Sequence, residues 1–324
     1  MLNFIRRLFE QPIQAKVERP EADYPKPISQ RVLMVVHNPR FPEQGNRPMN
    51  ELFNWNDPVQ LAEQYAADVN EVSHAYANYE IVEQITADEF PIKLTGFRYA
   101  PHEYWDCQQG RSSFYQPDGV DYHAIIQQHQ IFERVADGEI DEVWLFGFPY
   151  AGYYESIMVG PNSIFCNAPP LTNSDRAGRR FVIMGFSYER GVGEMLENLG
   201  HRAESILSHV YRKEWQRTNY WEQFIRYEQR NPGQAACGNV HFAPNSLRDY
   251  DWGNTRKVHS TCDDWLNFPN LTGEGRMVNC SDWGRGDIRA HHKWWFERFP
   301  CVVGETNGIS HNWWEYVLDP NKIP

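Results

Sequence analysis

Residues 181–211, FVIMGFSYERGVGEMLENLGHRAESILSHVY, restrict the fold more than any other part of the chain. Residues 181–186 are a short apolar run, the pattern of a strand buried on both faces. Residues 187–193 are a polar turn that carries Glu189, Arg190 and two glycines. From Glu194 the spacing turns helical. Met195, Leu196, Leu199, Ala203, Ile206, Leu207 and Val210 share one side at about 100° per residue. Glu194, Glu197, His201, Glu204, Ser205 and Ser208 share the other. A strand, a polar turn and an amphipathic helix make half of a βαβ unit, and such units place chemistry at the strand's carboxyl end.

The chain before this stretch repeats the alternation. Residues 31–36 (RVLMVV) have the unbroken apolar character of a central parallel strand and end in His37-Asn38-Pro39-Arg40. Asp57-Pro58 pairs an N-cap with proline at the first helical position. It predicts a helix to about residue 76, with Leu61, Tyr65, Val69 and Val72 on one face. Residues 79–85 and 92–97 read as strands, the second running into Arg98, His102 and Glu103. Residues 121–136 read as a helix stopped by Asp137-Gly138, and 142–146 (EVWLF) as a strand that leads to Tyr150 and Glu155.

After residue 212 the character changes. A helix over 214–229 gives way at Asn231-Pro232-Gly233 to loops dense in Gly, Asn, Asp and Trp. Helices over 287–299 and 310–318, capped by Asp287 and Ser310, close the chain. The expected architecture is an α/β fold with a doubly wound, mainly parallel sheet, a three-layer sandwich, over residues 31–230. Residues 1–30 form an extended lead-in. The loop-rich, Trp-rich part at 231–324 is expected to pack across the carboxyl edge of the sheet, within the same domain.

A formal net charge of −12, with Lys and Arg scattered, argues against a nucleic-acid partner. No apolar run approaches the roughly 20 residues that a membrane span needs, and no signal-peptide pattern opens the chain. A cytoplasmic location is therefore expected. The six cysteines include no Cys-x-x-Cys pair, which lowers a thiolate zinc reading, although Cys262 and Cys280 flank one loop and could pair under oxidising conditions. The 12 Trp and 17 Tyr serve either as core or as the lining of a sugar or flat-ligand site. The expected partner is a small-molecule or glycan substrate, and a homo-oligomer is compatible with the sequence.

In an open parallel sheet the carboxyl ends of the strands face one edge, where ligands bind. The apolar runs end in His37 and Arg40, in Arg98, His102 and Glu103, in Tyr150 and Glu155, and in Glu189 and Arg190. That edge would gather groups able to do acid–base chemistry or to hold a divalent ion. The expected catalytic residues are Glu155 and Glu189 as an acid/base pair, Arg190 as a charge stabiliser, and His37 and His201 as proton carriers. The expected substrate contacts are Arg40, Tyr150 and His241, with Asp251, Trp252, Asp264 and Trp265 as loops that set sugar hydroxyls against an indole face.

His201 and Glu204 share a helical face and are candidate ligands for a divalent ion, zinc or calcium. A solvated polar helix face accounts for the same residues more simply. Gly191-Val192-Gly193 lacks the third glycine of the dinucleotide fingerprint, so no nucleotide cofactor is expected. A Gly-x-Ser-x-Gly elbow is also missing. The functional expectation is a hydrolase for a polar, carbohydrate-like substrate, working by carboxylate and histidine chemistry with or without a metal. The alternatives are a non-catalytic carbohydrate-binding protein and a metal-dependent peptidase or amidohydrolase centred on His201 and Glu204.

Overall fold

The computed structural model describes residues 24–215 and 217–324. Most of the lead-in expected over 1–30 lies outside the described residues. Strand β1 (Ile28–His37) leads towards helix α1 (Pro58–Val72). The start of α1 is set by Asp57, whose carboxylate accepts from the amides of Val59 and Gln60, with Pro58 in the first turn. Then come strand β2 (Ala77–Ala87) and helices α2 (Tyr122–Gln128) and α3 (Ile131–Ala136). Strands β3 (Glu142–Gly147), β4 (Ser156–Val159) and β5 (Phe181–Ser187) precede helix α4 (Val192–Val210). The five strands form one mixed, mostly parallel sheet of order β2-β1-β3-β5-β4, in which β4 runs antiparallel to β5.

Both faces of this sheet are covered, which is why its central strands read as unbroken apolar runs. Val32, Met34 and Val36 of β1, Trp144 and Phe146 of β3, and Val182 and Met184 of β5 share a core with α1 and α4. Leu33, Val35, Val143, Leu145 and Ile183 share a second core with α2 and α3. The apolar stripe of α4 is buried whole, and this fixes the rotation of the helix.

One charged group of α4 also faces the sheet. Arg202 is fully buried, with Nη1 2.7 Å from Glu142 Oε2 at the start of β3, and Glu142 Oε1 accepts the Trp144 indole N–H at 2.9 Å. Burial works against the guanidinium charge, but the Glu142 carboxylate outweighs it, so the Arg202 pKa stands above its ordinary value.

The Trp-rich part packs against α1 and α4. Helix α5 (Ile288–Phe296), N-capped by Asp287, sends Arg289 and Lys293 to Asp68 of α1 at 2.6 and 3.1 Å. Trp221, Trp265, Trp295, Trp313 and Trp314 are buried in the same core as α4. Of this part, Tyr250 and Ile288 line the cleft at the sheet edge.

Several local expectations are corrected. Residues 92–97 are not a strand: they turn at Gly96 (φ 83°), and the buried Lys93 is tied to Asp118 at 2.6 Å. The helix expected over 121–136 breaks at Gln130, which takes a left-handed φ of 52°. Over 214–229 the described helix is Tyr220–Phe224, started by Asn219, whose side chain accepts from the Glu222 amide. Ser310 does not cap the last helix. It lies in Ile309–Asn312, which pairs with Cys301–Thr306, and the helix begins at Trp313. Strand β4 and the helix Pro101–Gln108 were not expected. Cys262 and Cys280 are buried and are not joined in a disulfide.

Arg202→Leu leaves the Glu142 carboxylate buried without its partner. We expect a loss of about 3–5 kcal/mol, read as a lower urea midpoint, with most of it restored in the double variant Glu142→Leu/Arg202→Leu. A single variant as stable as the parent would contradict this account of the pair.

Candidate metal centre

The rotation that buries the apolar stripe of α4 leaves Glu197, His201 and Glu204 together on the opposite side. Residues 238–254 then cover that side. Gly200 permits the approach, because a side chain there would overlap Val240 and meet Trp295. The Val240 amide donates to Glu204 Oε1 at 3.1 Å, and the Val240 carbonyl lies 3.3 Å from His292 Nε2 of α5. Asn239 Oδ1 accepts from the amides of His241 and Phe242, each at 3.0 Å, which closes a tight turn. That turn aims His241 at the helix.

Three donor atoms converge as a result. His241 Nε2 is 3.1 Å from Glu197 Oε1 and 3.1 Å from His201 Nε2, and His201 Nε2 is 3.9 Å from Glu197 Oε1. Donors about 2.0–2.2 Å from one zinc-sized ion, at roughly 90–110°, stand about 2.8–3.6 Å apart. Two of the three separations already match, and the third needs a small side-chain shift.

The outer nitrogens support the same reading. His201 Nδ1 is 3.2 Å from Glu204 Oε2, and His241 Nδ1 is 3.6 Å from Asp249 Oδ1. A proton on His201 Nδ1, directed at Glu204, leaves the Nε2 lone pair pointing at the other donors, the carboxylate–histidine arrangement of metal sites. Burial opposes charge on His201, but the hydrogen bond to Glu204 and the nearby Glu155 and Glu197 outweigh it and hold its pKa above the ordinary value. Burial likewise opposes the Glu197 carboxylate. The hydrogen bond from His241, the nearby His292 and the Tyr250 hydroxyl prevail, so Glu197 titrates below the usual range.

Glu197 of this cluster lines a cleft of about 640 Å³ at the carboxyl ends of β3 and β5, as does Tyr250, while His201 and His241 meet Glu197 away from the lining. Glu155 faces the cleft, with Oε2 4.0 Å from His201 Nε2 and accepting from the Asn167 side-chain amide. Gly185 makes room for this segment, since a side chain there would overlap the Tyr154 carbonyl, and its amide donates to the Glu155 carbonyl at 3.0 Å. Arg190 and the half-exposed Tyr150, stacked on Phe114 at 3.7 Å, line the same cleft.

Thus Glu155, Arg190, His201, His241 and Tyr150 gather in one region of the molecule. Glu204 is beside them as the carboxylate that orients His201 and holds Val240, while Glu197 is the carboxylate facing the two imidazoles. The remaining expected site residues are elsewhere or differently engaged. His37 is buried, 1% exposed, and its Nδ1 shares a hydrogen bond of 2.6 Å with the Tyr153 hydroxyl. Glu189 does not line the cleft and lies 3.7 Å from Arg190. Arg40 sits in a short hairpin, where its amide donates to Asp88 and its guanidinium to the Asn46 carbonyl.

Asp251 accepts from the Leu247 amide and the Asn254 side chain, and Asp264 from the amides of Thr272 and Gly273, so both shape their own turns. Trp252 and Trp265 are 5% and 3% exposed. Trp252 stacks on His291 at 4.9 Å and Trp265 on Phe268 at 6.0 Å, so neither offers an indole face to a sugar.

Two residues of the site, Glu197 and Tyr250, are not among the expected site residues. Glu197 stands at the i, i+4 spacing from His201, a usable signal. Tyr250 reaches the cluster from a loop and left no local trace. The chain matches no protein-family model and none of the curated proteins.

The buried histidines make stability depend on pH. Burial pushes His37 from about 6.5 down to about 4, and holds His291 well below its ordinary value as well. Between these values the unfolded chain binds the protons that the folded chain refuses. Stability is therefore full above about pH 6.5 and falls as the pH drops towards 4, by up to about 1.4 kcal/mol per pH unit for each such histidine. Urea titrations from pH 7 to 5 should show this fall, and His37→Gln should make it shallower. An unchanged slope in that variant counts against the assignment.

Proposed function

We propose that the protein is a metal-dependent hydrolase acting on a polar, uncharged or cationic substrate. The observation that carries this reading is the convergence of Glu197 Oε1, His201 Nε2 and His241 Nε2 beside a large cleft that Glu197 and Glu155 both line. Two imidazoles and one carboxylate are the three-ligand set of an open catalytic site, which keeps a position for water or substrate. The ion would supply Lewis acidity and a water of lowered pKa.

The side chains divide the remaining work. Glu155, held by Asn167, is placed to take a proton from the attacking water and return it to the leaving group. Glu204 fixes the tautomer and the tilt of His201. Arg190, at the cleft, is placed to stabilise negative charge as it develops on the substrate.

The substrate class follows from the lining. Asp118, Glu155, Glu194 and Glu197 face one cation, Arg190, which disfavours a polyanionic substrate. The half-exposed Tyr150 offers ring surface of the kind that packs against a sugar ring or a planar amide. The frame behind the site is read as a doubly wound three-layer sandwich, supported by the helices over both faces of the sheet.

Chromogenic glycosides, amides and esters provide the test, with metal content measured on the same samples. Dialysis against a chelator should remove activity, and one equivalent of zinc or another transition ion should restore it. Glu155→Gln should keep the ion and lower kcat by about 10²–10⁴. Hydrolysis that survives chelation, or a fully active Glu155→Gln variant, would rule the reading out.

A further inference from the structure

We propose that Tyr250 supplies a fourth protein ligand, a phenolate, to the ion held by Glu197, His201 and His241. This inference rests on that centre. The Tyr250 hydroxyl is 3.0 Å from Glu197 Oε1 and 3.2 Å from His241 Nε2. These separations match the two 3.1 Å edges already present among the donors, so the phenol oxygen occupies a corner of the same polyhedron.

The backbone supplies a second, independent observation. Tyr250 has a φ of 58°, in the left-handed region that a bulky residue seldom enters. Its amide donates to the His241 carbonyl at 3.1 Å, and its ring lies 4.6 Å from the His241 ring and edge-on to Trp252 at 5.2 Å. The residue is 54% exposed, so burial of an aromatic ring does not explain the conformation. What the conformation achieves is to carry the hydroxyl to Glu197 and His241. Strain held at an exposed position over a donor cluster points to function.

Coordination would transfer the phenol proton to solvent and leave the oxygen bound as phenolate, as metal binding to protic side chains requires. The donor set becomes two imidazole nitrogens, a carboxylate and a phenolate. Such a set suits zinc or iron and does not suit calcium, which takes six to eight oxygen donors.

Copper(II) is the probe, because it binds nitrogen and oxygen sites tightly and a copper–phenolate bond absorbs visible light by charge transfer. The purified protein is titrated with copper(II) and followed by absorption and resonance Raman spectroscopy, in wild type, Tyr250→Phe and His201→Ala. We expect one copper per wild-type chain, a charge-transfer band, and enhanced phenolate ring vibrations. Tyr250→Phe should still bind one copper, about 10–100-fold more weakly, with band and vibrations lost. His201→Ala should lose stoichiometric binding.

Copper bound through His201 without phenolate vibrations, or vibrations that persist in Tyr250→Phe, would overturn the role of Tyr250 and leave the three-residue centre standing. No stoichiometric copper in wild type, or binding unchanged in His201→Ala, would overturn the centre itself and this inference with it.

Discussion

The close approach of Val240 to α4 is the contact on which the candidate site depends. Gly200 makes it possible by carrying no side chain, and Glu204 secures it by accepting the Val240 amide with one oxygen while the other meets His201. One carboxylate thus sets the covering segment and orients the imidazole beneath it. With that contact in place, His241 has little choice of position, and the donor atoms meet without a further element to hold them. A larger residue at position 200 would push the segment away and separate His241 from its partners.

Helix α4 works because its two sides are tied to different parts of the molecule. Its apolar stripe and the buried Arg202–Glu142 pair lock it to the sheet. Its outer side holds Glu197, His201 and Glu204 under the covering segment. His201 and Arg202 are neighbours in sequence yet point to opposite layers, so rotation of the helix would disturb the ion pair and the donor cluster together. The Trp-rich region backs this arrangement: α5 reaches α1 through Asp68, and His292 of α5 meets the Val240 carbonyl. The aromatic excess of the second half is therefore spent largely on packing the cover against the helices.

What was legible in the sequence follows the same physics. Strands β1, β3 and β5 and helices α1 and α4 announce themselves, because burial on both faces gives apolar runs and burial on one face gives a helical period. Residues 92–97 have strand composition but are bent by Gly96 and held by the Lys93–Asp118 pair, a long-range contact that no local pattern encodes. At the site, His201 was legible from its helical stripe. Spacing alone did not say whether Glu197, four residues before it, or Glu204, three after, faces the second histidine; the answer comes from where residues 238–254 fold over. Trp252 and Trp265 look like sugar platforms beside their acidic neighbours, but burying an indole releases more water-exposed apolar surface than a loop platform would, and packing wins.

The central claim is that Glu197, His201 and His241 together hold one ion. Anomalous scattering at the zinc absorption edge, from crystals grown with equimolar zinc, tests it most directly. The account predicts a single strong peak about 2.0–2.2 Å from Glu197 Oε1, His201 Nε2 and His241 Nε2. A map with no peak between these three atoms, or with the zinc bound elsewhere on the chain, would contradict it.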